Sequence, residues 1–201
     1  MTYVGNSTYI GTANVTAAGL LYFKVAEEDW GIEIGGGGQH LVDQPIDLNY
    51  AADSDPGAPQ IQIDEIGVYS FTLDTSNPDA PILTINQDVA TYPSTPLYIR
   101  GYDGDWDAHD GTQMTYIGSG HYIYDIAATG DLNKGFKVAN VDWNAPNSGG
   151  TTVTLGGEFA TTEQGDAGIT LAGLTEETQI RIIYHALDDV THTGEVAVII
   201  N

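Results

Sequence analysis

Residues 1–30 (MTYVGNSTYIGTANVTAAGLLYFKVAEEDW) and residues 114–143 (MTYIGSGHYIYDIAATGDLNKGFKVANVDW) are two versions of one stretch, at a constant offset of 113 and without a gap. Thirteen of the 30 pairs are identical, among them Met1/Met114, Tyr3/Tyr116, Tyr9/Tyr122, Phe23/Phe136, Lys24/Lys137, Val25/Val138, Asp29/Asp142 and Trp30/Trp143. Self-similarity at a fixed offset marks an internal duplication. The fold must therefore be one that a module of roughly 100 residues can complete, and complete twice.

Both copies run from the repeated stretch into a glycine turn, Gly35–Gly38 in the first and Gly149–Gly150 in the second. Each copy closes with a pair of predicted strands, Gly67–Leu73 with Ile82–Ile85 and Gln179–Tyr184 with Glu195–Ile200. The Pro-, Ser- and Thr-containing stretch 87–96 reads as the linker, which gives modules at 1–88 and 94–201. The second copy has about 20 residues before Met114, the strand Leu97–Arg100 and the loop Gly101–Gly111, that the first lacks. The chain is therefore expected to begin inside its first module, leaving an edge that proteins usually cover. Period-2 alternation over Ser119–Ile126, Phe136–Ala139, Ile61–Ile63, Tyr69–Leu73 and Thr151–Leu155 marks short strands. In Phe-Lys-Val-Ala, Phe and Val share one face and Lys and Ala the other. Roughly seven short strands per hundred residues with Gly- and Pro-marked turns is the immunoglobulin-like pattern. The expectation is an all-β chain of two tandem immunoglobulin-like β-sandwiches, the first without its opening strand.

Charge narrows the partners. Five Lys and Arg stand against 28 Asp and Glu, a formal net charge of −23. Such a chain cannot neutralise phosphates, which excludes nucleic acid, and it is repelled by anionic membranes and polyanionic sugars. Neutral polymers and cations remain. The acidity also suits a salty medium, where repulsion is screened within a few ångström. No cysteine is present, so disulfides and thiolate chemistry are out. No apolar run approaches the ~20 residues of a membrane helix, and the first ten residues lack the pattern of a secretory signal.

Lys24 and Lys137 are two of only three lysines, and they occupy one repeat position. Each stands six residues before a tryptophan, Trp30 or Trp143, with Asp29 or Asp142 directly preceding that indole. A lysine on the outer face beside an exposed indole suits a neutral sugar, since the C–H face of a pyranose packs on the ring while ammonium and carboxylate meet hydroxyls. The competing reading has each Trp capping the core and each Lys offsetting nearby acids. The loop Asp103–Gly111 adds Trp106, either a stacking platform or an anchor for its loop. Its alternating Asp103, Asp105 and Asp107 are of the type a calcium loop uses, but no Glu stands at the closing position. A solvated acidic loop is favoured and no cofactor is expected, with calcium left as an alternative. His40, His109, His121, His185 and His192 have no zinc spacing, and the glycine run has no following Lys-Ser or Lys-Thr of a phosphate loop. With 28 carboxylates, chance pairs at glycosidase distance carry no information. No Gly-x-Ser-x-Gly elbow is present, so no enzyme is expected.

The order Leu97-Tyr-Ile-Arg-Gly, Gly104-Asp-Trp106, Met114-Thr-Tyr-Ile-Gly-Ser-Gly-His-Tyr and Phe136-Lys-Val-Ala-Asn-Val-Asp-Trp-Asn resembles the starch-binding sandwich modules of bacterial amylopullulanases and outer-surface starch-binding lipoproteins. The closing segments Tyr69–Asp74 and Pro81–Ile85 are similar to the end of such a module. The resemblance covers the whole second copy and the first minus its leading strand. It implies stacking and hydrogen-bonding roles for Trp30 and Lys24 in the first copy and for Trp143 and Lys137 in the second, with Trp106 as a further transfer. It leads to a non-catalytic tandem that recognises starch-type α-glucan, monomeric within a larger multimodular protein, secreted or at the cell surface. The alternative is a structural spacer or adhesin-like pair, stiffened by calcium and without sugar affinity.

Overall fold

The computed structural model describes residues 1–51, 57–88, 95–128, 135–156, 158–165, 167–174, 178–188 and 191–201. Among them every regular element is a strand except two short 3₁₀ turns, Tyr102–Gly104 and Asp110–Thr112. The chain separates into two compact units, Met1–Val89 and Ala90–Asn201.

The first unit contains β1 (Thr2–Tyr3), β2 (Thr8–Val15), β3 (Gly19–Tyr22), β4 (Val25–Ala26), β5 (Glu33–Gly35) and β6 (Gln39–Leu41). It continues with β7 (Pro45–Asp47), β8 (Asn49–Ala51), β9 (Gln60–Ile63), β10 (Gly67–Asp74) and β11 (Ile82–Gln87). Three sheets result, ordered β1-β2-β10-β11-β7, β3-β9-β6 and β4-β5-β8. Apolar residues from all three meet in one core, with Ile46, Ile61, Ile63, Tyr69, Leu73, Leu83 and Ile85 buried and Leu21, Val25 and Ile34 packed against them.

The second unit contains β12 (Tyr98–Arg100), β13 (Thr115–Gly118), β14 (His121–Ala128), β15 (Lys137–Ala139) and β16 (Asn147–Gly149). After them come β17 (Thr152–Thr154), β18 (Ala160–Gln164), β19 (Thr170–Ala172), β20 (Thr178–Ala186) and β21 (Gly194–Ile200). Eight of these form one sheet, β12-β15-β16-β18-β21-β20-β14-β13, and β17 pairs in parallel with β19. Ile99 and Val138 at one end of that order share a core with Tyr122 and Ile126 near the other. The sheet must therefore curl over on itself, as a twisted sheet of this width does.

The duplication extends to register. Thr2↔Ile10 and Tyr3↔Tyr9 in the first unit are Thr115↔Ile123 and Tyr116↔Tyr122 in the second. Tyr9 faces Leu73 on β10 as Tyr122 faces Tyr184 on β20. Asn6 and Ser119, one repeat position, both turn the hairpin at φ 47°. β12 alone has no counterpart among the described residues of the first unit.

Candidate functional site

The site is built at the turn that follows β4 and β15. In each unit the chain reverses over four residues, and the Trp N–H donates to a carbonyl three residues back, Trp30 to Glu27 at 3.1 Å and Trp143 to Asn140 at 3.4 Å. Both tryptophans take the left-handed backbone, φ 60° at Trp30 and 59° at Trp143. That conformation costs a bulky residue on the order of 1–3 kcal/mol and persists where surrounding structure imposes it. It recurs at two equivalent positions, so the turn itself is shared by both copies.

In the second unit the indole of Trp143 has two neighbours, Arg100 and Trp106. The Arg100 guanidinium carbon lies 4.1 Å from the Trp143 ring centre, a cation–π contact worth about 0.5–2 kcal/mol. The Trp106 ring centre is 6.1 Å away, tilted by 36°. Trp106 is 47% exposed and Trp143 is half-buried, so the two indoles together offer an aromatic surface bounded by a cation. Arg100 is buried, and its Nε and Nη1 have no hydrogen-bond partner. Burial draws its pKa down, while Asp107 and Asp105 draw it back up. The other arginine, Arg181, is held in a two-pronged pair by Asp125, at 2.7 and 2.8 Å.

The loop that carries Trp106 is fixed by its own polar groups. Gly101 N–H donates to Asp105 O at 2.6 Å, and a Cβ at Gly101, φ 87°, would run into the Trp106 ring. Gly111 N–H donates to His109 Nδ1 at 3.1 Å, which leaves Nε2–H of His109 to donate to Asp105 Oδ2 at 2.7 Å. Asp105 Oδ1 accepts from Asp107 N–H at 2.9 Å. These contacts hold the Asp105 carboxyl below its ordinary pKa, the Asp107 amide contributing most. Both oxygens of Asp105 thus have protein partners. The side chain of Asp103 lies outside the described ones. Among the described residues no group of three or more His, Asp or Glu gathers as a metal site would.

The lysines differ from the outer-face expectation. Lys137 is buried, and its ammonium donates to Asn147 Oδ1 at 2.9 Å and to the Gly165 carbonyl. The physical reason is that β15 is an inner strand between β12 and β16, and these acceptors close over its second face. Lys24 pairs with Glu33 Oε2 at 2.7 Å. Asp29 Oδ1 accepts from Gly31 N–H at 3.0 Å, shaping the turn beside Trp30, and Asp142 is exposed. Trp30 itself is 60% exposed.

The structure thus brings Trp106 and Trp143 together and covers the Lys137 ammonium with Asn147 and Gly165. It adds Arg100, which sequence reasoning had treated only as part of a strand. The available signal was alternation. In Leu97-Tyr98-Ile99-Arg100 the two aliphatics are core residues, so Arg100 must face the side on which Trp143 turns. No family model, curated protein or solved structure matches this chain.

Proposed function

We propose that this chain is a non-catalytic carbohydrate-binding tandem that recognises starch-type α-glucan, built as two immunoglobulin-like sandwiches and belonging to a larger secreted or surface-attached protein. The observation that carries the reading is the Trp106–Trp143 pair. Two partly exposed indoles stand 6.1 Å apart with their planes inclined by 36° rather than coplanar. An α-linked glucan curves, so successive glucose rings can each lay a C–H face on one indole. Arg100 places a cation 4.1 Å from the centre of the electron-rich Trp143 ring, and the sugar would pack on the part of the two indoles left exposed. Lys137, being buried, supports the strand rather than touching ligand.

The charge of −23 supports the same choice. A neutral polymer is the macromolecular surface this protein approaches without repulsion. Trp30 supplies a single platform in the first unit, so the two sites are unequal. Joining them on one chain still adds avidity on a polymer that presents many equivalent segments.

Retention of the full chain in a native gel cast with amylopectin, against a gel cast with hydroxyethyl cellulose, tests the reading. Retardation by amylopectin alone, abolished in a Trp106→Ala, Trp143→Ala double variant, is expected. Free migration of the parent through amylopectin would refute it.

A further inference from the structure

The sheet β3-β9-β6 of the first unit turns one face to its core and the other to solvent. Leu21, Ile61 and Ile63 belong to the core, so alternation along the strands sends Leu20, Tyr22, Gln39, Leu41, Gln60 and Gln62 to the outer face. The ladder sorts these six into two rows across the strands, Tyr22–Gln60–Gln39 and Leu20–Gln62–Leu41. Tyr22 is 66% exposed and Leu41 59%, and Gln39 is exposed beside them.

This face is uncharged. The chain carries 28 Asp and Glu, yet neither row holds an ionised side chain. Asp64, at the border, accepts from Gln62 Nε2–H at 3.0 Å. A side-chain amide both donates and accepts, as a sugar hydroxyl does, and a phenol offers an apolar ring with a polar tip. Three glutamines beside an exposed tyrosine thus match hydroxyls on a surface that does not repel a neutral polymer.

Size selects the occupant. Adjacent strands stand about 4.8 Å apart and alternate side chains about 7 Å apart, so the two rows cover on the order of 200 Å². A standard protein–protein interface takes about 800 Å² from each partner. The face is too small for a folded protein or a second copy. A single glycan chain fits along one row, which spans about 10 Å from Tyr22 to Gln39.

The second unit carries the opening strand β12, and there the corresponding face is still exposed. Phe23 N–H donates to Pro59, directly before β9, as its repeat mate Phe136 donates to Ile169, directly before β19. β6 pairs in parallel with β9 as β17 does with β19. Thr152, Thr154 and Thr170, which stand where Gln39, Leu41 and Gln60 stand, are exposed, while β12 lies along β15 in the other sheet. Gly135 takes the place of Tyr22. The aromatic ring and the amides are features of the first unit alone.

We propose that the outer face of β3-β9-β6 is a second α-glucan subsite, where one glucose ring stacks on Tyr22 and the chain continues over the Gln60 and Gln39 amides. Its ligand class rests on the reading of the Trp106–Trp143 pair, but it shares no residue with that pair.

An NMR titration of the full chain with maltoheptaose reports both sites separately, through the side-chain amides of Gln39 and Gln60 and the indole N–H groups of Trp106 and Trp143. The glutamine signals are expected to shift and saturate, with the backbone amides of Thr152 and Thr170 unmoved. Tyr22→Ala should raise the midpoint at Gln39 and Gln60 roughly two- to tenfold and leave the indole midpoint unchanged. Indoles that shift while the glutamines stay still overturn this subsite and leave the Trp106–Trp143 reading standing; the opposite pattern does the reverse, and silence at both overturns both. Glutamine midpoints unaltered by Tyr22→Ala overturn the subsite, as do equal glutamine shifts with cellopentaose. Glutamine shifts that follow chain concentration without sugar assign the face to self-association and overturn it as well.

Discussion

Acidifying the solution from pH 8 to pH 5 should destabilise the second unit through one pair of side chains. His121 on β14 and His185 on β20 lie directly opposite each other, with rings stacked at 3.9 Å and 12°. The Phe159 ring meets His121 edge-on at 6.3 Å. Nδ1–H of His121 donates to the Ser119 carbonyl at 2.8 Å, and Glu195 on β21 stands 3.9 Å from His185 Nδ1. Burial, and then the charge of His185, lower the pKa of His121 from 6.5 to about 4. Burial lowers His185 as well, with Glu195 acting in the opposite sense.

The native imidazole of His121 therefore binds its proton less readily than the unfolded one. Its contribution is complete above pH 6.5 and is lost as pH falls towards 4. At 1.36 kcal/mol per unit the full effect is about 3 kcal/mol, of which about 2 kcal/mol has gone by pH 5. For a unit near 100 residues that corresponds to a drop of roughly 8 °C in the thermal midpoint. The assay is scanning calorimetry at pH 8, 6.5 and 5 on the parent and on His121→Gln. Protonation of the many carboxylates acts on both proteins, so the difference between them isolates the imidazole. Equal pH dependence in parent and variant would refute the reasoning, as would an NMR titration of His121 centred near 6.5.

Three further outcomes follow from the same geometry. Gly101→Ala should cost roughly 1–3 kcal/mol and weaken amylopectin retention, because the new methyl displaces Trp106 from a left-handed glycine, whereas Gly104→Ala meets open space and should cost only about 1 kcal/mol of backbone strain; chemical denaturation and gel retardation read both. Lys137→Ala should destabilise by about 1–3 kcal/mol, since it leaves the Asn147 and Gly165 oxygens without their donor, while Lys24→Ala removes a partly solvated pair worth about 1 kcal/mol or less; urea midpoints compare them. Single-tryptophan variants should rank Trp30, then Trp106, then Trp143 in acrylamide quenching, following their exposure, and a reversed order would contradict the turn geometry.

Much of the architecture was legible because β structure writes its period into the chain. The alternation in Tyr69–Leu73 and the repeat at offset 113 locate strands and their equivalence without any coordinates. The site was legible only in part. Trp30 and Trp143 stand out because they recur after a shared Asp, and that local feature does correspond to a shared left-handed turn. The outward placement expected for Lys137 failed because alternation says which face a residue takes, not what covers that face. Asn147 and Gly165, supplied by later segments, close over β15.

The sequence by itself determined that this protein is strand-built and duplicated, that it carries a net charge of −23, and which residues recur. Only the tertiary structure decided which recurring residues meet. Arg100, Trp106 and Trp143 come together through the β12–β15 ladder and the loop behind it, as His121 and His185 do through β14 and β20. Pairing between distant strands is fixed by the joint packing of a core, and no local stretch of chain encodes that.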